Sequence, residues 1–390
     1  MSVLYVDFGV GVSAGLNGVG FRAFELASAL ARHHDVLVLT PDRPHPDVLE
    51  AWPDVNFHVT EGGRLPAQAP EVYLYGFATP VESVRRAADA GATCVFDAIV
   101  WPLEYTTYQR VHSAADTSAE YRALLDAYLA RLGAADGYLV ASEVEKQVLT
   151  GMLTTCRPEV LLERGRDMSL DDLVRLLPVG FSERNERTGL EPVGGPPAPG
   201  PDFVWNGGLW NHYSPVTAVH GLRALLDAGQ EASLWFLYPQ RGTPTAAYRA
   251  VREAVAGDGE LARHVTFCHG GLSLAERITV MERARASLCL YEPHVLWDLC
   301  PPMRLRETVL YRLPVVAPRR GALGDLVAAG GYGVTTESSA AEDVAAAMAV
   351  CLDETAGARM RAAAAEAEDD FRYEALVPSL GPWLAGLRAR

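Results

Sequence analysis

The stretch FVWNGGLWNHYSPVTAVHGLRALL spans Phe203 to Leu226 and decides the fold. It begins as an apolar, β-rich run and passes through two adjacent glycines. An amphipathic pattern then follows Ser214 and Pro215, a pair typical of a helix N-cap and first helical position. A strand that leads into a helix in this way is the repeating unit of a parallel α/β sheet.

The same alternation fills the rest of the chain. The predicted strands are SVLYVDF, DVLVLTP, EVYLYGF, ATCVFDAIV, GYLVASE and LVRLLPVGF before the quoted stretch, then FVWNGGL, ASLWFLYP, HVTFCHG, ASLCLYE and LPVVAP. Continuous Val and Leu runs are typical of strands buried on both faces of a parallel sheet. The expected fold class is therefore α/β, with two Rossmann-like doubly wound parallel-sheet domains.

The length of the chain also favours two domains, because 390 residues exceed what one hydrophobic core usually serves. The Pro- and Gly-rich stretch RTGLEPVGGPPAPGPD separates the two series of strands and is typical of a linker. We expect a first domain over residues 1–186, a linker over 187–202 and a second domain over 203–372. A C-terminal helix over 373–390 is expected, with packing against the first domain as one option.

Composition excludes several classes of partner. The formal net charge is -15, and residues 1–200 hold 27 acidic and 16 basic side chains. Such a surface repels nucleic acid and anionic membranes, whose binding requires Lys and Arg. We find no signal-peptide pattern and no run of about 18 apolar residues, so we expect a cytoplasmic protein without strong membrane association. The six cysteines form no CxxC pair, and neither a metal nor a cofactor is expected.

The loop after the strand FVW is the first candidate for a binding site. Gly207 and Gly208 leave the backbone open to a ligand, and the following helix start presents unpaired N–H groups that suit a diphosphate. The same glycines could instead serve only the packing of strand against helix, and the residues alone leave both interpretations open. Trp210 equally fits a wall of the site or the core.

A second glycine-rich loop follows the first strand. Both GVGVSA and GVGFRA fit the dinucleotide-binding pattern, and Asp42 follows the second strand where a ribose-binding acid could lie. An NAD(P)-dependent oxidoreductase is therefore an alternative. However, about a dozen residues separate Phe8 from the next helix, which is too long for the tight turn of a Rossmann loop, so a glycine loop that reaches toward a cleft between the domains fits better.

The third candidate is YEPHVLWDLCPPMRLRETVLYRLPVVAP, from Tyr291 to Pro318. Arg304 can neutralise phosphate oxygens, and Glu307, about one helical turn later, can accept two hydrogen bonds from a ribose diol. Arg306 is expected on a solvated helix face. Glu292 and Asp298 lie in the same stretch, and His212 and His294 lie near the proposed donor loops, where a structural role is the other interpretation. Asp97, after the strand TCVFDAIV, and Glu104 are candidates for the acceptor side, with structural roles as the alternative.

Five stretches in register resemble the GT-B fold glycosyltransferases of family 4. They are GVGFRAFELASAL (Gly18 to Leu30), ASEVEKQVLTGML (Ala141 to Leu153), DLVRLLPVGF (Asp172 to Phe181), WNGGLWNHYSPVTAV (Trp205 to Val219) and RLRETVLYRLPVVAP (Arg304 to Pro318). The resemblance covers almost the whole chain. It implies two domains that face across a cleft, and a metal-independent transfer of sugar from a nucleotide diphosphate donor to a hydroxyl acceptor, a small natural product or glycan, with retained anomeric configuration.

The resemblance also implies roles for individual residues. Glu307 matches the acid that holds the donor ribose, and Arg304 matches an arginine of this branch of the family. Gly207 and Gly208 match the donor-phosphate loop, and Gly18, Gly20 and Arg22 match a first-domain loop near the donor phosphates. We expect the full donor-binding set to be Gly207, Gly208, Trp210, Asn211, Arg304 and Glu307, and the first-domain loop to be Asn17, Gly18, Gly20 and Arg22. The expected catalytic carboxylates are Asp97, Asp298 and Glu307.

The chain departs from the family pattern at one acid. Eight residues before Glu307, where the family has its first glutamate, this chain has Leu299, and Asp298 lies one position away. The family's Arg and Lys after the first strand of the second domain are also absent, near Gly208 and Ser214. A catalytically altered relative that only binds nucleotide sugars is therefore the other alternative.

Overall fold

A computed structural model describes residues 3–13, 16–102, 118–163, 169–191, 200–239, 244–291, 295–299 and 301–388. The chain forms two compact units. The first contains the described residues up to Leu190 together with those from Asp370 onward, and the second contains the described residues from Glu191 to Asp369. Ala14, Glu104, Glu292, His294 and residues 192–199 of the predicted linker lie outside the described residues.

The first unit is built on a seven-stranded parallel sheet in the order β3-β2-β1-β4-β5-β6-β7. The strands are β1 Val3–Asp7, β2 Asp35–Thr40, β3 Asn56–Val59, β4 Val72–Tyr75, β5 Thr93–Asp97, β6 Gly137–Val140 and β7 Val174–Leu176. The strand order reverses between β1 and β4. Strand β3 was not predicted, because at the sheet edge it alternates exposed and half-buried side chains instead of forming an apolar run.

Helices cover the sheet of the first unit. Their bounds are Gly18–Leu30, Pro46–Ala51, Val81–Asp89, Ser118–Gly133, Glu143–Cys156, Pro158–Glu163, Leu170–Leu173, Glu186–Gly189, Tyr373–Leu376 and Leu380–Arg388. Several long-range hydrogen bonds tie the C-terminal segment to this unit. The Gly180 amide donates to the Tyr373 hydroxyl at 3.0 Å, and the Trp383 indole donates to the Asp172 carbonyl at 2.6 Å.

The second unit contains a six-stranded parallel sheet in the order β10-β9-β8-β11-β12-β13. Its strands are β8 Phe203–Trp205, β9 Leu234–Phe236, β10 Val265–Phe267, β11 Ala286–Leu288, β12 Val315–Pro318 and β13 Gly333–Thr336. Strand β13, GVTT, was not predicted because it lacks a run of large apolar residues. The strand order reverses between β8 and β11, so the loops that leave these two strands lie at the switch point where open α/β sheets bind ligands.

The helices of the second unit surround this sheet. Their bounds are Pro215–Asp227, Ala246–Ala256, Leu261–His264, Leu274–Arg283, Val295–Leu299, Arg304–Leu310, Ala322–Gly330, Ala341–Leu352 and Glu354–Glu366, and a short helix, Glu368–Phe371, spans the boundary between the units. Gly221 allows the first of these helices to pack closely on Ala341–Leu352, since a Cβ atom at this position would overlap the Val344 side chain. The predicted α/β class with two doubly wound parallel sheets is confirmed. Within the described residues, no helix combines the length and apolar character needed to cross a bilayer.

Candidate functional site

The glycine loop after β8 lies against an arginine from another segment. Trp205 ends β8 and is fully buried, and Asn206, Gly207 and Gly208 follow it. A Cβ atom at Gly207 would overlap the Nη2 atom of Arg304, the first residue of the helix Arg304–Leu310. Glycine is therefore required at 207 by the approach of a guanidinium, and the structure brings together two residues that are almost a hundred positions apart.

Aromatic rings hold the guanidinium of Arg304 on this loop. Its Cζ atom lies 4.9 Å from the centre of the Trp205 ring and 4.0 Å from that of Tyr213. Among the described residues, the one hydrogen-bond acceptor of Arg304 is the Cys289 sulfur, at 3.8 Å. Burial lowers the pKa of Arg304, but Tyr213, Cys289 and Glu307 outweigh it and raise the pKa above its usual value. The site thus holds a permanent cation that no carboxylate in the described part of the chain pairs with directly.

Glu307 belongs to a closed ring of three polar side chains. Its carboxylate accepts hydrogen bonds from the amide of Asn206 and the guanidinium of Arg277, and the Arg277 Nε atom donates to the Asn206 oxygen at 3.3 Å. The side chains of Arg277 and Glu307 are 2% and 13% exposed. Because Asn206 directly precedes Gly207, this ring joins the glycine loop to the predicted ribose-binding acid.

The other two predicted donor-site residues contact protein groups. The indole of Trp210 packs on Gly208, where a Cβ atom would overlap it. The Asn211 oxygen accepts a hydrogen bond from the Ala247 amide at 2.7 Å, at the start of the helix Ala246–Ala256. The Asn211 Nδ2 atom is buried and has no hydrogen-bond partner among the described residues. Asn211 therefore anchors the loop to that helix.

Asp298 lies in a different part of the second unit. It is exposed on the short helix Val295–Leu299 and lines a cavity of about 450 Å³. The other lining residues are Tyr291, Trp297, Arg319, Arg320, Gly321 and Asp325. None of the three members of the Glu307 ring lines this cavity. The Trp297 ring lies 4.8 Å from Tyr213, so one aromatic side chain separates the cavity wall from the guanidinium of Arg304.

In the first unit, Asn17 and the two glycines after it form a helix start. The helix begins at Gly18, three residues earlier than its apolar pattern predicts, because the Asn17 oxygen accepts a hydrogen bond from the Gly20 amide at 2.8 Å. Gly18 and Gly20 are thus in the first helical turn rather than in a loop. The end of the helix that carries its partial positive charge is capped by a neutral side chain.

Arg22 and Asp97 pair with each other in the core of the first unit. The Arg22 Nε and Nη2 atoms donate to the two Asp97 oxygens at 2.7 and 3.1 Å, and both residues are at most 1% exposed. The remaining Arg22 donors bind the carbonyls of Leu177 and Pro178 and the Tyr373 hydroxyl. Arg22 was predicted at the donor phosphates and Asp97 as a catalytic carboxylate. The structure instead places both in a buried ion pair that joins three segments of the fold.

The predicted ribose-binding acid of the alternative dinucleotide site, Asp42, is also hydrogen-bonded to groups of the chain itself. Asp42 accepts hydrogen bonds from the amides of Val12 and Ser13 at 2.7 and 3.2 Å and from the Ser13 hydroxyl at 2.7 Å. It therefore orders the glycine loop after β1. A ribose hydroxyl would have to compete with three hydrogen bonds of the chain itself.

Three residues of the site were missed by the sequence analysis: Asn206, Tyr213 and Arg277. Only Arg277 had a visible signal, because it lies among Leu274, Ile278 and Met281 on the apolar face of a helix, where a charge needs a partner. Arg306 was expected on a solvated face but is 1% exposed, since the short helix that carries it is buried on most sides. Within the described residues, no group of three acidic, histidine or cysteine side chains could hold a metal ion.

Comparison with known proteins identifies the fold. Sucrose-phosphate synthase from Thermosynechococcus elongatus has a TM-score of 0.63 at 18% identity, over 99% of each chain. The catalytic domain of starch synthase IV from Arabidopsis thaliana, bound to ADP and acarbose, has a TM-score of 0.64 at 11% identity, over 100% of each chain. The chain has the fold of the GT-B glycosyltransferases.

The same fold also occurs in a protein that is described as an enzyme of a different class. A proposed UDP-N-acetylglucosamine 2-epimerase from Listeria monocytogenes has a TM-score of 0.55 at 11% identity, over 93% of this chain and 91% of that one. No family model and no curated protein sequence matches the chain. At these identities the likeness concerns the fold, and the function has to be argued from the site.

Proposed function

We propose that this chain is a retaining, metal-independent glycosyltransferase that binds a nucleoside diphosphate sugar in its second unit and transfers the sugar to a hydroxyl acceptor. One observation carries the proposal. At the switch point of the second sheet, the cation of Arg304 lies on the backbone of Gly207, and Glu307 lies in the same short helix. The glycine loop is thus joined both to a cation that can bind a diphosphate and to a carboxylate that can bind a ribose.

The physical argument for transfer concerns the leaving group. As the bond between the sugar and the diphosphate breaks, negative charge accumulates on the phosphate oxygens. Arg304 is held by Trp205 and Tyr213 before any ligand arrives, so it stabilises this charge without reorganisation. The chain lacks the family's Arg and Lys after the first strand of this domain, and Arg304 supplies a guanidinium at that loop from a different helix.

The catalytic carboxylates of the proposal are revised by the geometry. Glu307 keeps its place as a ligand-binding acid. Asp298 is exposed in a cavity and remains our candidate for contact with substrate on the sugar or acceptor side. Asp97 is assigned a structural role, because both of its oxygens bind Arg22. The acidic first half of the chain favours a neutral or cationic acceptor, such as a small amino-sugar product, over an anionic one.

Titration of the full chain with UDP, ADP and GDP tests the binding half of the proposal. We expect at least one of them to bind, and Arg304→Met to weaken it by about 10- to 100-fold, the range for charged hydrogen bonds. Arg263→Met is a matched control, because Arg263 is an exposed arginine of the same unit. Equal binding by Arg304→Met, or no binding of these three nucleotides and of TDP, would contradict the proposal.

Product analysis tests the reaction itself. The chain is incubated with UDP-, ADP-, GDP- and TDP-sugars, with and without amino-sugar and oligosaccharide acceptors. Release of nucleoside diphosphate with a glycosylated or free sugar product supports transfer. Conversion of the donor to an isomer of equal mass indicates epimerase chemistry, and binding without turnover of any donor indicates a nucleotide-sugar-binding relative. Saturable binding of NAD(P)H with no nucleoside diphosphate binding favours the oxidoreductase alternative.

A further inference from the structure

The ring of Asn206, Arg277 and Glu307 closes over large distances in the sequence. Asn206 and Arg277 are 71 positions apart, and Arg277 and Glu307 are 30 apart. Each side chain contacts the other two, so the end of β8, the helix Leu274–Arg283 and the helix Arg304–Leu310 are fixed to one another at this point. Rotation of any one side chain would break two of the three contacts.

Arg277 compensates the buried charge of the Glu307 carboxylate. Burial of a carboxylate is costly unless an opposite charge and hydrogen bonds compensate it, and Arg277 supplies both. The guanidinium is itself held, since its Cζ atom lies 5.7 Å from the centre of the Tyr311 ring. The contacts from Asn206 and Arg277 fix the plane of the carboxylate and therefore the direction from which a ligand hydroxyl approaches it.

We propose that Arg277 is a positioning residue that makes the site selective for ribonucleotides over deoxyribonucleotides. It holds the Glu307 carboxylate in one orientation, so that the carboxylate accepts hydrogen bonds from both hydroxyls of a ribose, and it contacts no part of the ligand. This inference rests on the proposed function, because it assigns the ribose of the donor to Glu307. A lysine cannot replace the arginine fully, since one ammonium group does not form the planar pair of contacts to Asn206 and Glu307.

The test compares each nucleoside diphosphate with its 2′-deoxy analogue. The nucleotide that binds the wild-type chain most tightly among UDP, ADP and GDP is titrated alongside dUDP, dADP or dGDP. We expect the wild type to prefer the ribonucleotide about tenfold, the value of one hydrogen bond to a charged group. Arg277→Met should reduce this ratio to about twofold or less, and Glu307→Gln should reduce it as well. Arg277→Lys should give an intermediate ratio.

A purely structural role of Arg277 predicts a different result. Loss of stability would weaken the ribo and deoxy ligands equally and would leave their ratio unchanged. Thermal unfolding of each variant shows whether it is folded. If Arg277→Met is not folded, Arg277→Lys provides the ratio of ribonucleotide to deoxyribonucleotide affinity. A folded Arg277 variant that keeps the wild-type ratio overturns the inference. A wild-type chain that binds both forms equally also overturns it but leaves the proposed function standing, whereas failure to bind any nucleoside diphosphate contradicts the proposed function itself.

Discussion

The guanidinium carbon of Arg304 lies 4.0 Å from the centre of the Tyr213 ring. This contact fixes the cation over the glycine loop, because an attraction between a cation and an aromatic face is strongest when both are partly removed from water. Tyr213 is also packed against Trp205 and Trp297, with ring centres 6.1 and 4.8 Å away. The orientation of Arg304 therefore depends on a cluster of rings rather than on a carboxylate.

Replacement of Tyr213 should separate the effect of its ring from that of its hydroxyl. Tyr213→Phe keeps the aromatic face and should change the Kd for a nucleoside diphosphate less than about twofold. Tyr213→Leu removes the face and should weaken binding by about fivefold, in the range for a partly buried cation–π contact. Tyr248→Leu, in the same unit, serves as the control for loss of a partly buried tyrosine. Equal affinities of the Phe and Leu variants would contradict this explanation.

Addition of one methyl group at Gly207 should displace the cation. A Cβ atom at this position overlaps the Arg304 Nη2 atom, so Gly207→Ala should move the guanidinium off the loop and weaken nucleoside diphosphate binding by about tenfold. Gly259→Ala is the matched control, since nothing lies within 4 Å of a Cβ atom at that position. Calorimetric titration of both variants checks the prediction. Unchanged affinity in Gly207→Ala would show that the close approach is unimportant for binding.

The ion pair between Arg22 and Asp97 should stabilise the first unit and have no direct part in nucleotide binding. Asp97→Asn leaves a buried guanidinium without its counter-charge and should lower the free energy of unfolding by about 3–5 kcal/mol. Glu183→Gln, which breaks the exposed pair with Arg32, should cost less than about 1 kcal/mol. Urea unfolding measures both. Activity lost in an Asp97→Asn protein of unchanged stability would instead favour a catalytic role for Asp97.

The stability of the first unit should fall as the pH rises toward neutrality. Burial raises the pKa of Glu145 to about 7, although hydrogen bonds from Trp101 and the Ala141 amide act to lower this pKa. Burial also raises the pKa of Asp7 to about 6. Both carboxyl groups hold a proton more tightly in the folded chain than in the unfolded chain. Their contribution is therefore complete below the unfolded pKa values, near 4, and is lost as the pH rises to about 7.

Glu145→Gln isolates this effect. The amide mimics the protonated acid, so the variant should lose much of the decrease in unfolding free energy between pH 5 and 8, which for Glu145 is on the order of 3 kcal/mol. Urea midpoints at several pH values measure it. Parallel pH profiles for the variant and the wild type would exclude Glu145 as the titrating group.

The sequence predicted most strands of the two sheets but not the polar contacts. Strands such as Val72–Tyr75 are buried on both faces and were predicted, whereas β3 and β13 lack a long apolar run and were missed. The resemblance placed the glycine loop and Arg304 in one donor-binding set. The residue patterns alone did not predict their contact, because periodicity describes one element at a time and contains no information on which loops meet.

The same limit explains the errors at charged residues. Asp97 was assigned to chemistry because it follows a buried strand, but its partner Arg22 lies 75 positions away in a segment that was itself interpreted as a phosphate-binding loop. Arg277 could be recognised as unusual within an apolar helix face, although its partners Asn206 and Glu307 could not be identified from spacing. Buried ion pairs and ligand sites use the same residue types, and only the fold distinguishes them.

A crystal structure of the full chain with its tightest-binding nucleoside diphosphate tests the central claim most directly. The account predicts that the phosphates lie within hydrogen-bond distance of Arg304 beside Gly207 and that the ribose hydroxyls contact the Glu307 carboxylate. A nucleotide bound at another site, or bound here with its phosphates away from Arg304, would contradict it.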